Sequence, residues 1–355
     1  MERGVFGVGR LGGMVGLALA VLLVAEPLAY TEVAGKPTVI KVAVAFPRSQ
    51  KAAIQVKRYN RRLAELTGNQ VQFRMYWGGA AGSDRAVLRK MRMGQIDAAP
   101  FGLEMVSNFV REALVLQSPG LFANYKQVDA VREALTPEFD AEAYEKGFKI
   151  LGWADVGRLR LFSKQRISRP EHLKTVRPWL YPESETLKTF YRLVGATGVP
   201  LGIAEVYGAM ETGMIDTFWA TSAIASALQW HRTGKFVSAD GLGFVSGAFV
   251  LRRPIWDALP AQAREAVMAM IAEERSAAQR EMRVVDEVAY KKLLARGYTA
   301  IETTAAERDQ WWKVGVQLRK SMVGRVYSPA LVKRAEDIAL QFADERQRAR
   351  LRPQD

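Results

Sequence analysis

Two stretches of the chain repeat one short pattern and restrict the possible fold more than any other sequence feature. Residues 93–102 read MGQIDAAPFG, and residues 212–221 read TGMIDTFWAT. In each stretch a helix ends at a Gly, which favours the left-handed conformation of a helix C-terminus, and Ile-Asp then leads into a short strand. The repeat predicts two α/β units of similar construction with a cleft between them.

Strands and helices alternate around the first copy of the pattern. Residues 38–45 form a β-branched run, and apolar residues at steps of three and four between 52 and 66 predict an amphipathic helix. Residues 71–76 alternate as a second strand, and Ser83 before Asp84 is typical of a helix start. We therefore expect an α/β fold with mixed sheets flanked by helices, and a ligand site at the strand ends in the cleft.

A long helix is predicted in the C-terminal third of the chain. After Pro260, about 35 residues pass without a helix breaker until Gly297, a length of about 50 Å at 1.5 Å per residue. Such a helix is long enough to brace both units. Thr304 and Glu307 then match a capping box, which predicts a further helix carrying Trp311 and Trp312.

These patterns predict a two-lobed α/β fold. We expect residues 35–154 to form the first lobe, completed by about 243–258, and residues 155–242 to form the second. Residues 259–340 hold the spanning helix and the C-terminal helices, and residues 341–355 form a basic tail.

The N-terminus indicates export. Arg3 and Arg10 precede an apolar run, LGGMVGLALAVLLVA, at residues 11–25. Such a run is typical of a secretory signal and is shorter than the ~20 residues of a membrane-spanning helix. We expect residues 1–34 to be a signal peptide or an N-terminal anchor, and the protein to lie in the periplasm. The GVGRLG stretch at residues 7–12 matches a dinucleotide motif, but no strand precedes it, so no nucleotide cofactor is predicted.

Composition argues against an enzyme. The 355 residues include no Cys, which excludes thiolate chemistry and disulfides. His172 and His231 have no acidic partner at metal spacing, and neither a nucleophile elbow nor a phosphate loop occurs. A hydrolase or transferase would need a nucleophile beside a base. We expect no catalytic residue, no metal and no cofactor.

The chain is strongly basic, with a formal net charge of +14. A net positive charge of this size is compatible with nucleic-acid binding. However, no basic helix is interleaved with aromatic residues and no zinc-finger spacing occurs. We interpret the charge as a solvated surface and expect no nucleic-acid partner.

A series of segments between residues 38 and 320 resembles the substrate-binding subunits of TRAP transporters, the DctP-like extracytoplasmic receptors. The segments include IKVAVAFP, TGNQVQFRMYWGGAAGS, VLRKMRMGQIDAA, LQSPGLFANY, EKGFKILGW, RPEHLK and GATGVPLGIAEVYGAMETGMID, in that order. The resemblance implies a two-lobed fold of the periplasmic-binding-protein type, in which the lobes are joined by hinge strands and spanned by a long helix. It also implies that the lobes close on a small organic acid and deliver it to membrane permease subunits.

The sequence departs from the family where the resemblance places a carboxylate-binding Arg. Counted forward from the LK pair at 173–174, that position falls on Trp179; counted back from the GA pair at 195–196, it falls on Leu180. Neither residue is basic. Arg177 shares the strand face of Trp179 and is the candidate substitute.

Two other parts of the family's site have counterparts here. A second family Arg, which follows a Gly, corresponds to Arg158 or Arg160. The polar stretch after Asp216 is replaced by TFWA. The predicted ligand-binding residues are Trp179, Arg177, Arg158, Arg160, Phe218, Trp219, Trp153 and Phe101.

Replacing a bidentate Arg by an indole removes a charge-assisted anchor and adds an apolar wall. We therefore expect a ligand more apolar than a C4-dicarboxylate: an aromatic or long-chain monocarboxylate, or a lipid-like molecule. The alternative is that these aromatic side chains belong to the core. A second functional hypothesis is a TRAP-like ligand or lipid carrier that works with a helical-repeat partner at the cell envelope.

Overall fold

The structure, a computed structural model, describes residues 36–345 together with Gln347 and Arg348. The predicted signal segment and most of the basic tail lie outside the described residues. The strands are β1 (Thr38–Ala43), β2 (Val71–Tyr76), β3 (Ala98–Gly102), β4 (Phe148–Ser163), β5 (Trp179–Leu180), β6 (Val199–Pro200), β7 (Thr217–Ala220), β8 (Phe236–Ser238), β9 (Gly243–Arg252) and β10 (Thr299–Ile301).

Helices surround these strands, and short 3-10 helices connect several of them. The α-helices are α1 (Gln50–Thr67), α2 (Asp84–Arg92), α3 (Leu103–Val106), α4 (Tyr125–Glu145), α5 (Glu185–Val194), α6 (Val206–Glu211), α7 (Ser222–Ala227), α8 (Arg253–Ala258), α9 (Ala261–Ala295), α10 (Ala305–Met322) and α11 (Pro329–Gln341). Among the described residues, no helix has both the length and the apolar composition needed to cross a membrane.

Two long strands, β4 and β9, join two parts of one mixed sheet. In the first part, β1 pairs in parallel with β2 and β3, and β3 pairs antiparallel with β9. In the second part, the end of β4 pairs antiparallel with β7 and β8, and β8 pairs in parallel with β10. β4 and β9 are antiparallel to each other along most of their length. The first lobe is built on β1–β3 and the second on β7, β8 and β10, which confirms the mixed, two-lobed α/β fold.

The helix α9 contacts both lobes. It packs against α1 of the first lobe, against α7 of the second, and against β4, which both lobes share. The buried carboxylate of Asp155 on β4 accepts hydrogen bonds from Arg283 Nε (2.7 Å) and Gln279 Nε2 (3.2 Å) of this helix, and from Arg132 of α4. Because breaking a buried ion pair costs about 3–5 kcal/mol, this cluster ties the spanning helix firmly to the strand that joins the lobes.

The repeated Ile-Asp pattern has the same role in each lobe. Asp97 accepts a hydrogen bond from the backbone N–H of Lys41 (2.9 Å), and its own N–H donates to the Lys41 carbonyl oxygen (2.9 Å). Asp216 exchanges the same pair of bonds with Arg177, at 2.8 and 3.1 Å. In each case the Gly three residues earlier has a positive φ, 78° and 72°. The two aspartates therefore fix the start of a short strand against its neighbour, which is a structural role.

Two of the apolar core clusters each lie mainly in one lobe, and a third contains residues of both lobes, such as Phe101 and Phe190. Ile40, Val42 and Leu63 are buried between β1 and α1 in the first lobe, and Phe162 and Phe218 are buried in the second. Burying an aliphatic or aromatic side chain of this size stabilises the fold by about 1.5–3 kcal/mol. Each lobe therefore has its own apolar support for the sheet edge that faces the cleft.

Candidate functional site

A large cavity lies where the two lobes face each other. Its volume is about 980 Å³, at the upper end of the ~300–1,000 Å³ range of small-molecule sites. Side chains from β3 of the first lobe, from β5 and β7 of the second, from the shared strand β4, and from α9 and α10 line it. The lining is mainly apolar and aromatic, with few polar groups, which is the usual composition of a ligand site.

The structure brings five of the eight predicted residues to this cavity and leaves three elsewhere. The five are Phe101, Trp153, Arg158, Trp179 and Trp219. Arg160, Arg177 and Phe218 are absent from the lining.

Six indoles contribute to the wall, and the N–H groups of four of them are hydrogen-bonded within the protein. The bonds run from Trp153 to Asp140 Oδ1 (3.0 Å), from Trp179 to the Leu201 carbonyl (2.8 Å), from Trp219 to the Tyr191 hydroxyl (3.2 Å) and from Trp311 to the Ser168 carbonyl (2.8 Å). Because these four donors are already used, these four indoles offer a ligand only their apolar surface.

Several aromatic lining residues were missed by the sequence reasoning. Phe190 on α5 packs edge-to-face on Trp219, with ring centroids 5.6 Å apart, and is stacked with Trp311 of α10 at 6.4 Å. The sequence placed the Trp311-Trp312 pair on a predicted C-terminal helix. Nothing in the sequence indicated that this helix closes the wall of the cavity.

Arg158 is the cation that the structure places against this aromatic lining. Its guanidinium carbon lies 5.4 Å from the ring centre of Phe244 and 5.6 Å from that of Tyr125. Among the described residues, no carboxylate pairs with this side chain. A half-buried guanidinium without an anionic partner is suited to hold a ligand carboxylate.

The backbone at Arg158 is fixed by a carboxylate of α9. Asp286, which is 2% exposed, accepts hydrogen bonds from the N–H of Arg158 (3.0 Å) and of Ala223 (2.9 Å). Gly157, with φ of +134°, leaves the space for this carboxylate, because a Cβ atom there would lie 2.5 Å from Asp286 Cγ. Burial raises the pKa of Asp286, and the backbone hydrogen bonds oppose that rise. The register shift of β4 between Asp155 and Gly157 is thus held in place from the helix side.

Arg160 does not reach the cavity. It is 3% exposed, lies 3.8 Å from the ring centre of Tyr290 on α9 and donates to the carbonyl oxygen of Ser238 at 3.0 Å. Burial lowers its pKa, and neighbouring acidic groups oppose that effect. The structure therefore places Arg158, and not Arg160, at the candidate site.

Arg177 also lies away from the cavity. Its side chain is 63% exposed, and its Nε lies 3.6 Å from Asp216 Oδ2. The reason is the Ile-Asp pattern, since Arg177 is the counterpart of Lys41 and is directed to the aspartate of its own lobe. In this structure Arg177 therefore lies outside the cavity and cannot serve there as the substitute carboxylate anchor that we expected.

Phe218 belongs to the core. It is fully buried and stacks on Phe162, with ring centroids 4.9 Å apart and planes 5° from parallel. Neighbouring residues of a strand point to opposite faces, and Trp219 faces the cavity. For Phe218 the core alternative is the correct one.

An acidic residue lies in the same cavity wall. Glu104 Oε1 accepts hydrogen bonds from Ser184 Oγ (2.8 Å) and Gln117 Nε2 (3.1 Å). Its Oε2 is shielded from solvent and has no hydrogen-bond partner among the described residues. Burial is the main cause that raises the pKa of Glu104 to about 7. Within the described chain, no group of three or more His, Cys, Asp or Glu residues is arranged to hold a metal ion.

The fold and the cavity define a two-lobed solute-binding receptor. Residues 42–324 match the family of bacterial extracellular solute-binding proteins, family 7, also called DctP. The chain belongs to this family, whose members are substrate-binding receptors and not enzymes.

Curated relatives agree with this assignment. The chain is 23% identical over 328 residues to the C4-dicarboxylate-binding periplasmic protein DctP of Rhodobacter capsulatus, which covers 89% of this chain and 94% of the relative. It is 22% identical over 240 residues to the 2,3-diketo-L-gulonate-binding periplasmic protein YiaO of Escherichia coli, covering 66% and 71% of the two chains.

Solved structures show the same fold. The sugar acid binding protein DctPAm of Advenella mimigardefordensis, in complex with galactonate, has a TM-score of 0.79 at 15% identity, covering 87% of this chain and 99% of that one. A TRAP solute-binding protein of Ralstonia eutropha with bound (S)-2-acetolactate has a TM-score of 0.76 at 21% identity, covering 85% and 99%.

The protein is therefore a TRAP-type extracytoplasmic solute-binding receptor. Receptors of this type bind small organic acids and work with membrane permease subunits, and DctP-family proteins are periplasmic. The comparisons do not support the helical-repeat partner that the sequence left open as an alternative.

Proposed function

We propose that this receptor captures an aromatic or long-chain monocarboxylate, with the carboxylate on Arg158 and the apolar body against the indole wall. The observation that carries the proposal is an Arg158 guanidinium without an anionic partner among the described residues, in a cavity where four of the six wall indoles already donate their N–H group within the protein. A charge-assisted hydrogen bond contributes about 1.5–3 kcal/mol, and apolar burial adds about 25 cal/mol per Å².

The other charged groups of the lining support a single negative charge on the ligand. Arg275 is exposed, and Arg308 lies 3.8 Å from Asp240, so that its charge already has a partner. A second ligand carboxylate deep in the apolar part would lose its hydration without a matching cation. The Ralstonia eutropha relative, whose bound acetolactate is a monocarboxylate, shows that such ligands occur on this fold.

The mature receptor is proposed to act in the periplasm. We base this on the basic residues and the apolar run at residues 1–34, which act as a signal peptide or as an inner-membrane anchor. The proposed lobes are residues 35–154 with 243–258 and residues 155–242, so that closure bends the chain within β4 and β9, the strands shared by both parts of the sheet.

The experiment that tests the ligand class is native mass spectrometry of the purified protein, followed by extraction and identification of the bound compound. An aromatic or fatty monocarboxylate is the expected result. A co-purified C4-dicarboxylate, present in equal amount in an Arg158→Gln variant, would contradict the proposal.

The aromatic wall is tested by calorimetric titration with phenylacetate, decanoate and succinate. We expect Trp179→Ala to weaken the affinity for the apolar probes at least ~10-fold, because it removes a large apolar surface from the wall. Trp256→Ala is the matched control, since Trp256 is equally buried but lies outside the cavity lining. Equal probe affinities in the two variants would show that Trp179 is a core residue only.

A further inference from the structure

Glu104 joins the two lobes across the cavity. It lies on α3, directly after β3 of the first lobe, whereas its hydrogen-bond donor Ser184 is the N-terminal cap of α5 in the second lobe. The same hydroxyl of Ser184 accepts a hydrogen bond from the Leu187 N–H at 3.0 Å. The Glu104–Ser184 contact therefore exists only when α5 lies against the end of β3, as it does in this structure.

The two oxygens of this carboxyl group differ. Oε1 accepts both hydrogen bonds, and Oε2 has neither a partner among the described residues nor contact with solvent. A carboxylate with one unpaired oxygen is poorly stabilised in an apolar setting, whereas the neutral acid is not. Burial accordingly raises the pKa of Glu104 to about 7.

The charged groups around Glu104 come from several elements. On α5, Glu185 raises its pKa further and Lys188 lowers it, and both effects are smaller than that of burial. The phenols of Tyr181 and Tyr327 also face it, since Glu104 contributes to the raised pKa of each. The hydroxyls of Ser184 and Thr186 and the charge of Lys188 lower the pKa of Glu104 less than burial raises it, so the neutral acid is favoured below about pH 7 in the closed cleft.

We propose that Glu104 is an affinity-determining residue of this receptor, whose carboxylate takes up one proton from solvent when the two lobes close around a ligand. The inference rests on the proposed function, because closure is driven by the ligand that the cavity binds. With the lobes apart, water reaches both oxygens and the ionised form is favoured. Closure removes that water and favours the acid, so ligand affinity rises as the pH falls.

The test is calorimetric titration of the full-length mature receptor with phenylacetate, decanoate and succinate at pH 6, 7 and 8, in phosphate and in Tris. We expect the affinity for the probe that binds to fall about ten-fold between pH 6 and pH 8, with net proton uptake at pH 7 seen as a buffer-dependent heat. Glu104→Gln removes the pH dependence and retains binding at pH 8. Asp240→Asn, which alters an exposed carboxylate of the cavity lining that pairs with Arg308, retains it.

Two results would overturn the proposal. One is a probe affinity that is equal at pH 6 and pH 8 in the unmodified receptor; the other is an unchanged pH dependence in Glu104→Gln. If no probe binds, the proposed ligand class fails, and the proton site is judged with the compound that is extracted from the purified receptor. Its affinity should then fall from pH 6 to pH 8 in the unmodified receptor and not in Glu104→Gln, and an affinity that is equal at both pH values would overturn the proposal.

Discussion

The hydroxyl of Tyr191 donates a hydrogen bond to the backbone carbonyl oxygen of Trp179 at 2.7 Å. The same hydroxyl accepts the N–H of Trp219 at 3.2 Å, so one buried phenol holds two of the cavity's indoles. Burial raises the pKa of Tyr191 far above its usual range, so the group stays protonated and keeps its donor. The aromatic wall is therefore preorganised by a polar contact behind it.

Tyr191→Phe removes that contact. Because the Trp179 carbonyl and the Trp219 N–H both lose a buried partner, we expect a loss of about 1–3 kcal/mol in the free energy of unfolding. Urea denaturation measures the loss. Tyr207→Phe, at a partly exposed position, is the control and should change stability by less than ~0.5 kcal/mol.

Arg158→Gln tests the ligand anchor. We expect the affinity for the bound monocarboxylate to fall about 10- to 150-fold, which corresponds to the loss of a charge-assisted hydrogen bond, with little change in stability. Arg177→Gln is the matched control, because Arg177 is exposed and lies outside the cavity lining. The assignment is wrong if calorimetry finds the larger loss of affinity in Arg177→Gln.

Gly157→Ala tests the contact that positions Arg158. The new Cβ would lie 2.5 Å from Asp286 Cγ, and the φ of +134° is unfavourable for any residue with a side chain. We expect a loss of at least ~3 kcal/mol in the free energy of unfolding. Gly147→Ala separates the two causes, since Gly147 has a φ of +90° but open space around it, and it should lose only about 1–2 kcal/mol. Similar losses in both variants would mean that the Asp286 contact is unimportant.

We expect the carboxylate of Glu307 to make an acid-sensitive contribution to the stability of the folded protein. Its carboxylate accepts hydrogen bonds from Ser168 Oγ (2.6 Å) and the Thr304 N–H (2.8 Å), and these lower its pKa to about 2. A carboxylate whose pKa is lowered on folding stabilises the folded state above its unfolded pKa of about 4.3, and this contribution is lost as the pH falls through about 2. Thermal unfolding should therefore show Glu307→Gln less stable than the unmodified protein at pH 5–7, with a difference that shrinks toward pH 2.5. Glu171→Gln, at an exposed ion pair, should show little effect at any pH.

Much of the fold followed from local patterns. The long helix α9 ends at Ala295, close to the predicted stop at Gly297, and the capping box of Thr304 and Glu307 starts α10 as expected. The two Ile-Asp stretches have the same hydrogen bonds in both lobes. Such features are predictable because helix breaks, caps and short strands depend on neighbouring residues.

The site was predictable only in part. Counting residues from family segments led to Trp179, and the same resemblance left Arg158 and Arg160 as equal candidates. These two arginines differ in their packing. Asp286 holds the backbone at Arg158, and Tyr290 of α9 covers the guanidinium of Arg160. Both partners lie more than 120 residues away in sequence, beyond the reach of any local pattern.

The sequence by itself determined the class of this protein, its two similar α/β lobes and its long spanning helix. Tertiary structure alone decided which side chains share the cavity. It placed Trp311 beside Phe190, placed Phe218 in the core and not in the cavity lining, and brought Glu104 against Ser184 of the other lobe. The physical reason is that burial and charge at a cleft arise from surfaces contributed by distant segments, and these meet only when the lobes are packed.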